Sequence, residues 1–228
     1  MPGLAEGASG STDLGYRTRL EAVHTGGAPV LLRLLRDRQQ YHDPDGKAER
    51  AGIPPASWPL FGLLWPSGLV LAGVMNDFEM AGKRILEVGC GLALASLVVH
   101  RRGGDVTASD CHPLVPGFLL ENLRLNKLPA LKYQAARWGH ENSGLGRFDV
   151  IIGSDVLYDR GQPEALSQCI DCHSAPAVEV LIVDPNRGNQ PSFNRRMALL
   201  GFSHSAVRVA ALPDGAAFKG QIHRYRRG

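Results

Sequence analysis

The sequence lacks the features that mark several common classes of protein. Its 228 residues include only four cysteines, irregularly spaced, and carry a net charge of only +3. The irregular spacing argues against a disulfide framework and for reduced thiols. So small a net charge gives little electrostatic basis for binding nucleic acid, and we predict no nucleic-acid partner.

Long apolar runs are also lacking, and we expect no leader sequence. The longest apolar stretch, 60–74, is interrupted by Pro66, Ser67 and three glycines, and it is shorter than the ~20 residues that a membrane span needs. The N-terminus has no basic region followed by an apolar one. We therefore expect a cytoplasmic protein with no membrane partner.

Composition suits one globular domain with a sizeable core, since 44% of the residues are hydrophobic and 21% are charged. Residues 1–13, rich in Gly, Ser and Ala, predict a flexible tail, and 41–57 reads as a loop. We therefore divide the chain into a tail and N-terminal extension, 1–57, and a main domain, 58–228.

The main domain shows an alternation of strand-like and helix-like segments. Candidate helices lie near 69–80, 92–102, 113–126, 162–172 and 190–200, and candidate strands near 84–88, 105–109, 131–135, 148–154, 178–184, 203–210 and 218–225. The pattern predicts an α/β fold, namely a Rossmann-like, seven-stranded, mostly parallel sheet with helices on both faces, plus the N-terminal extension. In such folds a cofactor binds at the carboxyl ends of the strands, where the strand order reverses.

The stretch 84–95 predicts a strand, a tight glycine turn and a helix, which is how a nucleotide-binding unit begins. The turn contains Gly89, Cys90 and Gly91, and Glu87 stands two residues before the first glycine. Asp110 ends the next candidate strand, 19 residues after Gly91. An acidic side chain at that place can accept hydrogen bonds from ribose hydroxyls.

The turn fits S-adenosylmethionine (SAM) better than a dinucleotide. A dinucleotide site needs a small residue at position 94, where Leu94 stands. The SAM pattern places an acid at Glu87 and a third glycine at position 93, where Ala93 departs from it and could weaken cofactor binding. Glu87 would repel a pyrophosphate but would favour the cationic amino acid end of SAM.

A second informative stretch, 148–159, is a buried strand that ends at Ser154. Asp155 and Tyr158 follow it, so both emerge at the carboxyl edge of the sheet. Because a free lysine amine has a pKa near ~10.4, methyl transfer to it requires the neutral form to be favoured or selected. A carboxylate and a phenol can orient that amine. The alternative for Asp155 is a helix N-cap.

Other polar and aromatic residues allow two interpretations each. Trp138 follows the third strand of the series and either stacks on a cofactor or packs at the sheet edge. Asn122 and Asn126, four residues apart, are interpreted as surface or capping residues rather than ligands. Asp184 and Arg187 either shape a substrate mouth or form an internal ion pair.

One motif points to different chemistry. Cys169-Ile170-Asp171-Cys172-His173 matches the C-x-x-C-H of c-type haem attachment. It lies late in a candidate helix of an α/β chain, and no second cysteine pair supplies further zinc ligands. We therefore interpret these thiols as ordinary helix residues and predict no metal.

Five features together resemble the seven-β-strand (class I) SAM-dependent methyltransferases, and within them the small protein-lysine methyltransferase-like group. They are Trp65-Pro66, Glu87-x-Gly89-Cys90-Gly91, Asp110, Trp138-Gly139 and Ser154-Asp155-Val156-Leu157-Tyr158. The resemblance covers about 58–210. Residues 183–187 resemble the branch that acts on the electron-transfer flavoprotein β subunit, whereas 126–140 resembles an arginine-modifying branch, so no substrate is chosen between them.

The resemblance implies a role for each candidate residue. Asp155 and Tyr158 would address the acceptor amine. The cofactor, SAM, would be held by Trp65, Glu87, Gly89, Cys90, Gly91, Asp110, Cys111, Trp138 and Ser154.

The function expected from these residues is SAM-dependent N-methylation of a lysine side chain of a protein, with arginine or histidine as further options. A small-molecule methyltransferase and a catalytically silent binding module with the same fold remain alternatives. A nucleic-acid methyltransferase would favour an Asn/Asp-Pro-Pro-aromatic loop where Ser154 to Tyr158 stand.

Overall fold

A computed structural model describes residues 15–140 and 144–228. The tail predicted over 1–13 lies outside these residues. The N-terminal extension forms an antiparallel hairpin of β1 (Thr18–Val23) and β2 (Val30–Leu35). Sequence analysis did not predict β1.

Three helical segments follow the hairpin. A short helix, α1 (Lys47–Arg50), interrupts the stretch interpreted as loop, and a 3₁₀ helix (Trp58–Gly62) precedes α2 (Pro66–Asp77). Helix α2 starts at Pro66 because proline is preorganised for the first helical position.

The seven predicted strands form one sheet in the order β5-β4-β3-β6-β7-β9-β8. The five strands from β3 to β7 pair in parallel, and β9 runs antiparallel to both β7 and β8. The bounds are β3 (Arg84–Val88), β4 (Asp105–Asp110), β5 (Lys132–Ala135), β6 (Phe148–Ser154), β7 (Ser174–Asp184), β8 (Ser203–Ala211) and β9 (Ala217–Arg227). The predicted fold class is confirmed.

Helices cover both faces of the sheet because successive strand residues point to opposite sides. Ile85 belongs to one buried cluster and Leu86 to the other. The first cluster contains residues of α2, and of α3 (Leu94–Arg101) and α4 (Val115–Leu125). The second contains residues of α5 (Gln162–His173) and α6 (Gln190–Leu199).

The chain runs outward from β3 through β4 to β5, then returns to β6 on the other side of β3. The strand order therefore reverses at β3, and this is the place where open parallel sheets bind ligands.

Two asparagines of α4 hold the hairpin against the main domain. The Asn122 Oδ1 accepts the Arg33 N–H at 2.7 Å. Asn126 accepts the Leu31 N–H at 2.9 Å and donates to the Leu31 carbonyl at 2.7 Å. The surface interpretation is wrong for Asn122, which is fully buried, whereas Asn126 does end its helix as the C-cap.

One described segment is long and apolar enough to cross a membrane. Trp58–Asp77 spans 20 residues with a mean hydropathy of 1.5, and 56% of it is buried in the structure. The expectation that no run reaches this length is therefore wrong. The segment is divided between the 3₁₀ helix and α2, with Trp65 extended between them.

Candidate cofactor and acceptor site

A cavity of about 770 Å³ opens at the carboxyl ends of β3, β4 and β6. Its volume lies within the ~300–1,000 Å³ of small-ligand sites. All eleven residues that the sequence assigned to the site line this cavity: Trp65, Glu87, Gly89, Cys90, Gly91, Asp110, Cys111, Trp138, Ser154, Asp155 and Tyr158. The individual roles assigned to them stay predictions.

The glycine turn adopts a left-handed backbone at every second residue, with φ of +60° at Gly89, +50° at Gly91 and +57° at Ala93. A side chain at Gly91 is excluded by space as well as by conformation. A Cβ there would lie 2.8 Å from the carbonyl oxygen of Phe61. At Gly91 the backbone therefore faces the cavity without a side chain.

Ala93 stands where the sequence pattern expects a third glycine. It is fully buried and does not line the cavity, and its N–H donates to the Cys90 carbonyl at 2.7 Å. The methyl group therefore takes no space from a ligand. The alanine instead costs conformational free energy, because a left-handed backbone disfavours residues other than glycine.

Asp110 stabilises the turn and retains capacity for a ligand. Its Oδ2 accepts the Gly91 N–H and its Oδ1 the His112 N–H, each at 2.9 Å. Burial raises the pKa of Asp110, and the backbone N–H groups of His112, Gly91 and Cys111 partly offset the rise. Because each carboxylate oxygen accepts more than one hydrogen bond, Asp110 fits the ribose hydroxyls expected at this place.

Glu87 has a role that sequence analysis missed. Its Oε2 accepts the backbone N–H of Ser96 at 2.8 Å and also the Ser96 hydroxyl. Ala93 supplies no side-chain cap to α3, so Glu87 satisfies a donor of the first helical turn instead. Desolvation by burial raises the pKa of Glu87 to about 7, although both Ser96 hydrogen bonds act in the opposite direction.

Two tryptophans form aromatic walls. The Trp65 Nε1 donates to the Leu60 carbonyl at 2.9 Å, and the Arg38 guanidinium lies 5.8 Å from the ring centre. Trp138 packs against the second buried cluster, and a Cβ on Gly89 would lie 3.2 Å from its Cζ2. Trp138 thus packs against the second cluster and also places the edge of its ring beside the glycine turn.

Asp155 forms an ion pair that sequence analysis did not foresee. Its Oδ1 accepts from the Arg187 Nε at 2.6 Å and its Oδ2 from the Arg187 Nη2 at 3.0 Å. The backbone of Asp155 is left-handed, with φ of +55°, and its N–H donates to the Val183 carbonyl. The N-cap alternative is wrong, because the next helix, α5, has Gly161 as its N-cap.

Asp184 holds the backbone of Arg187 rather than its side chain. Its Oδ1 accepts the Arg187 N–H at 2.6 Å. The residue is fully buried and does not line the cavity, and burial raises its pKa to about 6. Of the two residues proposed for a substrate mouth, only Arg187 lines the cavity. The ion-pair partner of Arg187 is Asp155 and not Asp184.

Tyr158 lies at the opening, with 49% of its surface exposed. Burial of the rest raises the pKa of its phenol, and a hydrogen bond from Gln162 partly offsets the rise. The phenol is therefore protonated at neutral pH and can donate a hydrogen bond.

The N-terminal extension supplies one wall, which sequence analysis missed. Residues 51–54 and Ser57 line the cavity, as do Phe61 and Arg137. The His112 ring stacks on Phe61 with centres 3.8 Å apart, and burial lowers the pKa of His112 to about 4. The apolar run around Phe61, just before Trp65, was the feature of the sequence that could have indicated this part of the cavity lining.

The C-x-x-C-H stretch lies in α5, away from this cavity. Cys169 is buried and Cys172 exposed, while the His173 Nδ1 hydrogen-bonds the Gly146 carbonyl at 2.8 Å. Within the described ranges 15–140 and 144–228, no group of three or more His, Cys, Asp or Glu side chains is arranged to hold a metal.

Comparison with known proteins gives a family and a fold. A family model described as lysine methyltransferase matches residues 61–197. The electron transfer flavoprotein beta subunit lysine methyltransferase of Danio rerio is 30% identical over 159 residues, which cover 66% of this chain and 60% of that protein. The histone-arginine methyltransferase METTL23 of Rattus norvegicus is 32% identical over 104 residues, or 42% of this chain and 46% of that protein.

The chain thus spans about 60% of the length of the flavoprotein-subunit relative. A solved methyltransferase structure from Pyrococcus furiosus matches with a TM-score of 0.57 at 18% identity, covering 68% of this chain and 79% of that one. At this identity the match supports the fold alone.

Proposed function

The chain belongs to the lysine methyltransferase family, and from that membership we propose that it is a SAM-dependent enzyme that methylates a lysine side chain of a protein. The family resemblance stated from the sequence is thereby confirmed. The acceptor is a proposal, since relatives with lysine and with arginine acceptors in their names both match.

One observation carries the proposal: a single cavity joins the glycine turn and Asp110 to Asp155 and Tyr158. The bare backbone at Gly91 and the remaining lone pairs of Asp110 fit the amino acid and ribose parts of SAM. Bound there, SAM supplies a methyl group on a sulfonium. The chain's own contribution is to hold an acceptor nitrogen beside Asp155 and Tyr158 in the same cavity, where proximity lowers the barrier.

The acceptor end favours an amine over a guanidinium. A guanidinium is best matched by a free carboxylate that presents both oxygens in a bidentate pair. Both oxygens of Asp155 already bind Arg187. A neutral lysine amine needs acceptors for its two N–H groups while its lone pair stays free, and the Asp155 carboxylate and the Tyr158 phenol oxygen provide these.

The test combines binding with transfer. We expect the full chain to bind SAM in titration calorimetry and to transfer labelled methyl from SAM to one protein band in a proteome extract. Asp110→Ala should lose binding and transfer together. Asp77→Ala, which removes an exposed carboxylate at the end of α2, is the matched control and should change neither.

Two results would contradict the proposal. Label recovered only in small molecules would favour the small-molecule alternative. An absence of SAM binding by the folded protein would favour the silent binding module.

A further inference from the structure

Arg187 is fixed at two points at the acceptor end of the cavity. Asp184 accepts its backbone N–H, and Asp155 binds its guanidinium through both oxygens. The Asn189 side chain also donates to the Leu157 carbonyl at 2.9 Å, joining the loop after β7 to the loop after β6. The guanidinium is therefore held in one place, and it lines the cavity.

We propose that Arg187 is a positioning residue of methyl transfer, which orients Asp155 and sets a positive charge against an acceptor ammonium, so that the neutral amine is admitted. This inference rests on the proposed function. It concerns residues of this chain only.

The effect of Arg187 on the acceptor is electrostatic. An unpaired Asp155 carboxylate, with only 9% of its side chain exposed, would attract a lysine ammonium and stabilise its charged, unreactive form. Pairing with Arg187 offsets the charge of Asp155 while leaving each carboxylate oxygen a further lone pair for one N–H of the amine. Asp155 then orients the amine without favouring its protonation.

The charge of the whole neighbourhood matters to this argument. The other ionisable groups that face the pair or its neighbour Tyr158 come from the loop after β6 and from the ends of β4 and β7: Tyr158, Asp159, Asp184, Asp110 and Cys111. The acids among them add negative charge. Without Arg187, the negative charge of Asp155 would add to theirs.

The reaction itself requires the neutral amine. The nitrogen lone pair forms the new N–C bond as the S–C bond breaks, and the bonding pair of that bond stays on sulfur. The nitrogen then carries the positive charge that sulfur has lost and releases its proton to solvent. An ammonium has no lone pair and cannot begin this step.

The first test needs no acceptor. Sinefungin carries an ammonium group where SAM carries the transferred methyl, whereas S-adenosylhomocysteine carries no charge there. The ratio of their Kd values, measured by calorimetry on the full chain, therefore reports the charge at the acceptor end. Arg187→Gln should favour sinefungin about fivefold or more relative to the wild type, and Asp155→Asn should disfavour it to a similar extent.

Arg187→Lys retains the charge but loses the bidentate geometry, and because the ratio reports charge it should stay within about twofold of the wild-type ratio. Thermal unfolding of each variant checks that it is folded. An unchanged ratio in folded Arg187→Gln would overturn the inference and leave the proposed function intact. If the wild type bound neither ligand, the proposed function and the inference would fail together.

A second readout uses the acceptor once labelling has identified it. In the pH profile of kcat, Arg187→Gln should move the acidic limb about one pH unit higher, because the freed carboxylate stabilises the ammonium. A purely structural role for Arg187 would lower kcat at every pH without moving the limb, and that result would contradict the inference.

Discussion

The Glu87 carboxylate at the end of β3 accepts hydrogen bonds from both the backbone N–H and the hydroxyl of Ser96 in the first turn of α3. The buried Glu87 carboxylate thus links β3 to α3 across the glycine turn that joins them. This arrangement couples the protonation of Glu87 to the stability of the fold.

Glu87 should make the protein less stable as the pH rises. Burial raises its pKa from 4.5 to about 7, so between these values the folded state holds a proton that the unfolded state has released. Stability from this group is complete below pH 4.5 and is lost as the pH rises through about 7, by up to about 3 kcal/mol.

Urea denaturation of the wild type and of Glu87→Gln between pH 5 and pH 8 measures this effect. Glutamine keeps an acceptor for Ser96 without a charge, so its stability relative to the wild type should improve towards pH 8. Glu49→Gln, at an exposed position, should show no such trend. A constant difference across this range would mean that Glu87 does not titrate there.

Asn122→Ala should destabilise the protein by about 1–3 kcal/mol. The Arg33 N–H, which now donates to Asn122 at 2.7 Å, would lose its partner in a partly buried place. Urea denaturation measures the loss, and hydrogen exchange should show faster opening of β2. Leu120→Ala on the same helix, with 69% of its surface exposed, should stay within about 0.5 kcal/mol of the wild type.

Lys127→Gly should stabilise the protein by up to about 1 kcal/mol. Lys127 follows the C-cap of α4 with φ of +54°, and its N–H and that of Leu128 return to the Arg124 and Leu123 carbonyls. This is a Schellman ending, in which glycine is preferred at that position. Thermal unfolding measures the gain, and Arg124→Gly, inside the helix, should instead destabilise by about 1 kcal/mol.

The sequence predicts those features that depend on short segments. All seven strands of the main sheet were predicted, and the clearest of them, β6 and β7, are buried parallel strands that contain continuous apolar runs. The cavity residues were found because the carboxyl end of each strand can be located in the sequence, and residues at these ends line the cavity. Asp110 and Ser154, for instance, end β4 and β6.

Contacts between distant segments could not be predicted in the same way. Arg187 and Asp155 are 32 residues apart, and Arg33 and Asn122 are 89 apart. Neither pair leaves a periodic pattern, because each depends on how separate elements pack. The interpretation of Asn122 as a surface residue failed for this reason.

The glycine turn offers a matched pair of substitutions that separates conformation from contact with a ligand. Gly91→Ala places a Cβ 2.8 Å from the Phe61 carbonyl oxygen at a residue with φ of +50°, so the turn must shift. We expect SAM affinity to fall at least about tenfold, because the left-handed backbone alone costs an alanine about 1–3 kcal/mol.

Ala93→Gly makes the opposite change at a residue with nearly the same backbone, φ +57°. Since Ala93 does not line the cavity, SAM affinity should change by less than about twofold. Calorimetry on both variants makes the comparison. A large gain in affinity for Ala93→Gly would show that the alanine does weaken cofactor binding, acting through the shape of the turn rather than through contact.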